Sequence, residues 1–137
     1  SVKPMQKIGV NACTDITGFG LLGHALELAR GSKVELVIDT ESVPLFPEIK
    51  EYAEMGMVPG GAHTNRETFI EDIEFTVNID DTMSDILFDP QTSGGLLISV
   101  PEEKAADLLN NLKDNGVKES TIIGEVREND KTKIKLK

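Results

Sequence analysis

The spacing of apolar residues switches between a period of about 3.6 and a period of about 2 several times along the chain, and this alternation limits the fold more than any other feature. Helical spacing predicts helices over residues 17–30, 46–55, 81–87 and 102–115. Alternating or continuous apolar runs predict strands over residues 33–39, 75–79, 96–100, 121–126 and 131–137. This order indicates an α/β (α+β) fold, a layered sandwich in which helices cover a mixed β-sheet.

Local signals fix where some of these elements should end. Gly31 and Gly116 stand just past two predicted helices, where a left-handed residue is common. Asp80 or Asp81 is the predicted cap of the short helix that follows them, since an Asp side chain accepts the first free N–H groups of a helix.

Three further segments have predicted positions in the fold. Residues 96–100 are continuously apolar, which predicts a central strand buried on both faces. Residues 131–137 carry four lysines on one face, which predicts a strand at a sheet edge. Residues 56–65 are rich in Gly and are predicted to form a loop.

The composition narrows the class of protein. The chain has 137 residues, a net charge of −10 and 39% hydrophobic residues, which is typical of one folded domain. The excess of acidic residues argues against a nucleic-acid-binding protein, because such proteins bind phosphates through clustered Lys and Arg. No apolar run reaches the roughly 18 residues of a membrane helix, so we expect no membrane partner. One Cys and two His exclude disulfide frameworks and Cys/His zinc sites, and a lone thiol fits a cytoplasmic location.

The turn from Asp15 to Gly20 leads into the first long predicted helix. Its glycines allow a ligand close to the backbone, and a helix N-terminus favours anions. A carboxylate beside such a pocket is what a Mg²⁺–phosphate complex needs. The alternative is that Thr17 caps the helix, Asp15 supports the cap and the glycines serve close packing.

Two other Gly-rich turns are joined to polar side chains. Residues 59–66 (PGGAHTNR) lack the phosphate-binding motifs of P-loops and dinucleotide folds, yet their amides could hold a phosphate. The alternative is a surface loop. Residues 89–95 (DPQTSGG) are more polar than a tight turn before a strand requires, although such a turn is the alternative.

The remaining candidates have ordinary structural explanations. Cys13 has no neighbouring activating group in the sequence and is predicted to be a small buried residue. His24 lies inside a predicted helix, where a hydrogen-bonded or surface histidine is expected.

Two of the turns carry longer motifs. Residues 12–24 (ACTDITGFGLLGH) and 89–97 (DPQTSGGLL) closely resemble hallmarks of the selenophosphate synthetases, also called selenide, water dikinases. The loop with Gly60, Gly61 and Asn65 lies where that family has a Gly-rich, Asn-containing loop. The TDITGFG pattern is shared in looser form with the aminoimidazole ribonucleotide synthetase superfamily, whereas its combination with DPQTSGG is much more specific.

This resemblance implies that residues 1–137 are the single C-terminal domain of a two-domain, homodimeric enzyme. The family's N-terminal domain carries the catalytic Cys or selenocysteine, the catalytic Lys and further Mg²⁺- and ATP-binding aspartates. The chain starts at Ser1 and has none of that segment, so we expect a fragment that is inactive alone. The implied fold is that of the aminoimidazole ribonucleotide synthetase C-terminal domain, with partly ferredoxin-like topology. The implied reaction converts ATP, selenide and water to selenophosphate, AMP and orthophosphate.

The resemblance also implies the site residues. Asp15 matches the aspartate that this domain adds to the Mg²⁺ site. The residues implied to lie towards ATP are Thr17, Gly18, Gly20, Gly60, Gly61, Thr64 and Asn65. Gln91, Thr92 and Ser93 are implied to line the same cleft or the domain interface. The chain is expected to contain no catalytic nucleophile.

Two alternatives stay open at this point. One is a related ATP-dependent enzyme of the superfamily, such as a thiamine-monophosphate kinase or a hydrogenase maturation protein, against which DPQTSGG argues. The other is a non-catalytic interaction or regulatory module that has kept the fold.

Overall fold

Helices and strands interleave along the chain, as the computed structural model shows for residues 2–129 and 133–137. The helices are Val2–Ile8 (α1), Gly20–Ser32 (α2), Ile49–Glu54 (α3), Gly60–Phe69 (α4), Asp81–Phe88 (α5) and Glu102–Asp114 (α6). The strands are Ala12–Asp15 (β1), Glu35–Ile38 (β2), Ile73–Phe75 (β3), Leu96–Ser99 (β4), Gly124–Arg127 (β5) and Ile134–Leu136 (β6). None of the helices within these residues is long and apolar enough to cross a membrane.

The strands form two separate sheets. The larger sheet has the order β3-β6-β2-β5, with β6 parallel to both β3 and β2, and β5 antiparallel to β2. The smaller sheet is an antiparallel ribbon of β1 and β4. The larger sheet mixes both strand directions, and the predicted mixed α/β fold is therefore confirmed.

The core lies between α2, α5 and the larger sheet. Leu22 and Leu26 of α2 are fully buried, as are Phe88 of α5 and Ile134 and Leu136 of β6. Spacing of three and four residues places the apolar side chains of α2 on one stripe, which faces the sheet. Truncation of such a buried Leu to Ala costs about 2–5 kcal/mol. This packing fixes α2, and the Gly-rich turn before it, against the sheet.

Three predicted helix signals can be compared with the structure. Asp80 caps α5, since its Oδ1 accepts the N–H of Met83 at 2.7 Å, and Gly116 adopts a φ of +87° after α6; both predictions are confirmed. Gly31 lies inside α2, so its predicted role at the helix end is wrong. The left-handed residue there is Lys33, with a φ of 56°.

The predicted loop over residues 56–65 is wrong in its second half, because α4 begins at Gly60. Ala62 and Asn65 are the buried residues of this helix, three positions apart, so packing of one narrow stripe offsets the poor helix propensity of its two glycines. The sequence patterns also gave no sign of α1 or β1.

Two strand predictions fail in position. Residues 96–100 do not form a central buried strand, because among the strands in residues 2–129 and 133–137 β4 pairs with β1 alone, and Leu96 is exposed. The strand predicted over 131–137 is not at an edge, since β6 lies between β3 and β2. Residues 131 and 132 of that prediction lie outside the described residues. The other shifts are smaller, with β3 at Ile73–Phe75 and β5 at Gly124–Arg127.

Candidate functional site

The three Gly-rich turns, far apart in sequence, meet in the folded chain. We call residues 15–20, 60–65 and 89–95 together the turn cluster. The first turn joins β1 to α2, the second forms the start of α4, and the third joins α5 to β4. Because α2, α4 and α5 pack on one another, their ends bring the three turns together.

Asn65, in the second turn, bonds to the first turn and to the last residue of α5, immediately before the third turn. Its side-chain Nδ2 donates to the backbone oxygen of Gly18 at 2.9 Å and to that of Phe88 at 3.0 Å. The residue is buried, with 7% of its surface exposed. Both amide hydrogens are therefore engaged within the chain, and Asn65 works as a clamp between α4, the first turn and the end of α5.

Backbone hydrogen bonds hold the first and third turns side by side. The N–H of Gln91 donates to the oxygen of Thr17 at 2.9 Å, and the N–H of Ile16 donates to the oxygen of Gly95 at 2.9 Å. Gly94 stands so close to this pairing that a Cβ on it would lie 2.1 Å from the oxygen of Ile16. A side chain at position 94 would therefore force the two turns apart.

Two more glycines permit close contact within the cluster. Gly20 has a φ of +68°, and a Cβ on it would lie 2.8 Å from the carbonyl carbon of Phe88. A Cβ on Gly61 would lie 3.0 Å from Pro90 Cγ. The glycines thus serve packing between the turns, while Gly18 and Gly60 have open space where a Cβ would be.

Thr17 does not cap α2 with its side chain, as one sequence alternative proposed. The N-cap residue of that helix, Phe19, makes no side-chain capping bond, and neither does Pro59, the N-cap residue of α4. Thr17 Oγ1 instead lies 2.9 Å from Nε2 of His24, whose Nδ1 lies 2.9 Å from Oε2 of Glu27. His24 is thus hydrogen-bonded, as predicted.

Asp15 is the last residue of β1 and is exposed to solvent. Among the described residues, none donates a hydrogen bond or ion pair to its carboxylate. Its backbone is fixed by pairing of β1 with β4, where it lies opposite Leu96. The carboxylate is therefore positioned by a strand yet free to bind a ligand.

Of the other predicted site residues, three are exposed to solvent and one is hydrogen-bonded within the third turn. Thr64 is exposed, and its hydroxyl donates to the oxygen of Gly60 at 3.4 Å, one turn back along α4. Thr92 and Ser93 are exposed at the surface of the third turn. The Gln91 side chain is directed at the carboxylate of Asp89, with Nε2 2.6 Å from Oδ2.

Asp89 is a polar residue of the cluster whose position the sequence patterns did not reveal. Its Oδ1 is buried and has no hydrogen-bond partner in the described part of the chain. Burial raises the pKa of the Asp89 carboxyl, and the hydrogen bond from Gln91 lowers it in part. The sequence signal was the DPQTSGG motif, of which Asp89 is the first residue and whose start is typical of a turn.

The potential metal donors are few. The described residues hold no group of three or more His, Cys, Asp or Glu side chains that could enclose a metal ion. Asp15 offers one exposed carboxylate, a hard oxygen ligand of the kind Mg²⁺ takes together with phosphate oxygens and water. This donor fits a shared Mg²⁺ site, because the described residues supply too few donors for a metal centre of their own.

The prediction that Cys13 is buried is wrong. Its side chain is exposed on β1, although partial burial and then the charge of Asp15 raise the pKa of the thiol. A thiol with a raised pKa is less often ionised near neutral pH and is therefore a poor nucleophile.

Comparison with known proteins gives a consistent result. The model of the AIR synthase related protein family, C-terminal domain, matches residues 2–137. The selenide, water dikinase of Clostridioides difficile strain 630 is 50% identical over 121 residues, which are 88% of this chain and 35% of that protein. The one from Caldanaerobacter subterraneus subsp. tengcongensis is 48% identical over 124 residues, 90% of this chain and 36% of that protein.

A third relative, selenide, water dikinase 2 of Peptoclostridium acidaminophilum, is 40% identical over 134 residues, 98% of this chain and 38% of that protein. The chain thus spans a little over a third of the length of these curated relatives. It belongs to the family of AIR synthase related protein C-terminal domains. The resemblance to selenide, water dikinases seen in the two motifs is confirmed by these relatives.

Proposed function

We propose that this chain is the C-terminal domain of a selenide, water dikinase, an ATP-dependent phosphotransferase that makes selenophosphate, AMP and orthophosphate from ATP, selenide and water. The relatives that share this name cover nearly the whole chain, while the chain covers a little over a third of each of them. That difference supports a separate N-terminal domain as its partner. The proposal includes a homodimeric, cytoplasmic enzyme whose isolated C-terminal domain has no activity.

The observation that carries this proposal is the convergence of the three Gly-rich turns, two of which carry the family motifs, into one cluster. Two helices, α2 and α4, begin at the cluster, and neither has a side-chain cap on its first N–H groups. Such groups and the helix dipole favour an anion. Gly18 and Gly60 stand beside these helix starts with open space at their Cα atoms, so phosphate oxygens can approach the backbone.

Asp15 would hold Mg²⁺ at the edge of this cluster, together with ligands from the N-terminal domain and the nucleotide. When bound, Mg²⁺ neutralises charge on the phosphoryl groups in transfer. The role of Asp15 is to fix the position of Mg²⁺. Pairing of β1 holds the backbone of Asp15, and no described residue forms a hydrogen bond or ion pair with its carboxylate. No residue of this chain is proposed to act as a nucleophile.

Asn65 and the glycines at positions 20, 61 and 94 would support the site from behind. Asn65 donates both amide hydrogens to backbone oxygens, so it sets the spacing of the turns. Gln91 is directed at Asp89 and would hold the third turn rather than contact ATP directly. Thr64, Thr92 and Ser93 are exposed and remain candidates for contact with the nucleotide or the N-terminal domain.

The test is selenide-dependent formation of AMP from ATP by the complete enzyme and its Asp15→Asn variant. We expect a loss of at least about 100-fold in kcat with little change in stability, because an exposed carboxylate adds little to folding. Asp107→Asn, an exposed substitution on α6, is the matched control. Wild-type activity in the Asp15 variant would remove Asp15 from the metal site, and turnover by the 137-residue chain alone would contradict its proposed dependence on a second domain.

A further inference from the structure

The hydrogen bonds around His24 define which nitrogen of its ring carries the proton. Nε2 lies 2.9 Å from Thr17 Oγ1 and also accepts the backbone N–H of Phe19 at 3.4 Å. A backbone N–H can only donate, so this contact assigns a lone pair to Nε2, and the Phe19 N–H and the Thr17 O–H share that one lone pair. The ring proton of neutral His24 is therefore on Nδ1, where the Glu27 carboxylate accepts it at 2.9 Å.

This arrangement fixes the direction of the Thr17 hydroxyl. Because Nε2 has no proton to give, the Thr17 O–H is the donor in that contact, and the remaining lone pairs of Oγ1 point away from His24. A hydroxyl in this state can accept a hydrogen bond or coordinate a cation. It cannot donate to a phosphate oxygen, which is itself an acceptor.

The surroundings of His24 fix the orientation of its ring, and with it the direction of the Thr17 hydroxyl. Only 9% of its surface is exposed, and its ring lies against Phe19 with 5.3 Å between the ring centroids. Glu27 follows three positions later on α2, so the helix itself aligns the carboxylate with Nδ1. The helix is in turn fixed by its buried apolar stripe, and the ring has little freedom to turn.

We propose that His24, oriented by Glu27, is a positioning residue that holds the Thr17 hydroxyl as an acceptor, so that Thr17 contacts the hydrated divalent cation of the nucleotide complex and not its phosphate oxygens. The proposal rests on the proposed function above and changes the part of Thr17 within it. Thr17 stands two residues after Asp15, so the first turn would present two hard oxygen atoms to the cation.

The first test is the ring nitrogen spectrum of His24 in the ¹⁵N-labelled 137-residue chain. We expect Nε2 to show the resonance of an unprotonated nitrogen and Nδ1 that of a protonated one. His63 is the internal control, since it is exposed and its Nδ1 is 4.0 Å from Asp85, beyond hydrogen-bond distance. A proton on Nε2 of His24, or averaging between both tautomers as expected for His63, would overturn the proposal.

The second test is paramagnetic broadening by Mn²⁺ in the complete enzyme with a non-hydrolysable ATP analogue, because the proposed metal site is shared with the N-terminal domain and the nucleotide. We expect Mn²⁺ to broaden the signals of Asp15 and Thr17, and Thr17→Val to weaken this binding by about tenfold, as loss of a ligand or its support does. Thr17→Ser keeps the hydroxyl and should restore it, with circular dichroism confirming that both variants fold.

The outcomes separate this inference from the proposed function. Broadening at Asp15 that Thr17→Val leaves unchanged would overturn only the inference about Thr17 and His24. Absence of broadening at both residues, in a complete enzyme that binds Mn²⁺ and the nucleotide analogue, would contradict the shared metal site, and with it both proposals.

Discussion

Gly94 offers the sharpest test of how the turn cluster is built. In Gly94→Ala the new Cβ would lie 2.1 Å from the oxygen of Ile16, more than an ångström inside a normal van der Waals contact of about 3.5 Å. The clash is with backbone, so no side-chain rotation relieves it. Separation of the turns would break the bond from the Ile16 N–H to the Gly95 oxygen, now 2.9 Å long.

The size of the effect follows from these contacts. Overpacking costs about 1–3 kcal/mol, and the lost backbone hydrogen bond adds about 1 kcal/mol. We therefore expect Gly94→Ala to lower the free energy of unfolding by about 2–4 kcal/mol. Gly95→Ala is the matched control, because a Cβ there meets no atom within 4 Å. It should change stability by less than about 1 kcal/mol.

The assay is urea unfolding followed by far-ultraviolet circular dichroism, since the chain has no Trp to report by fluorescence. Both variants should keep the slope of the wild-type transition and differ in its midpoint. Equal midpoints for Gly94→Ala and Gly95→Ala would refute the close approach of the first and third turns.

Three further predictions concern the same region. Asn65→Ala should cost about 2–3 kcal/mol in urea unfolding, because two backbone oxygens lose their donor; an unchanged midpoint would contradict the clamp. The raised pKa of Asp89 means that the folded state holds this proton more tightly, so its contribution to stability should fall as pH rises above 3.8, the ordinary value, and level off above the raised pKa. Asp89→Asn should flatten that part of the stability profile and leave a more stable protein at neutral pH, and an unaltered profile would contradict the shift. Asp80→Ala should lower the midpoint by the equivalent of about 1 kcal/mol through loss of the α5 cap, whereas Asp81→Ala, at an exposed position, should cost less.

Much of the fold could be predicted because local pattern and tertiary environment agree there. The stripe of α2 and the cap of α5 are both local, and the structure retains them. The second half of 56–65 was predicted as loop because its glycines and polar residues favour a loop in isolation. Contacts of Ala62 and Asn65 with other parts of the chain make it a helix, and no local pattern contains those contacts.

The order of the strands in the sheet is a second feature that the local sequence pattern does not predict. The alternation around Ile134 and Leu136 correctly indicates a strand with one buried face, yet its place between β3 and β2 depends on pairing with residues about 60 and 100 positions away. The apolar run of β4 was misplaced for the same reason, because its partner β1 was not predicted at all.

The site shows the same division. Two motifs and a Gly-rich loop indicated the three turns, and the family resemblance implied site roles for Asp15 and Asn65 within them. They could not show that the Asn65 amide donates hydrogen bonds to the backbone oxygens of Gly18 and Phe88. Nor could they show that the Thr17 hydroxyl is hydrogen-bonded to His24. Both facts depend on side-chain direction in the folded chain, which residue type and spacing do not specify.

The central claim is that this chain adds Asp15 to a shared metal–nucleotide site. The most direct measurement is the anomalous scattering of Mn²⁺ in crystals of the complete enzyme with a non-hydrolysable ATP analogue. The account predicts a metal peak about 2.1 Å from the Asp15 carboxylate, beside the starts of α2 and α4. A bound metal and nucleotide with Asp15 outside the coordination shell would contradict it.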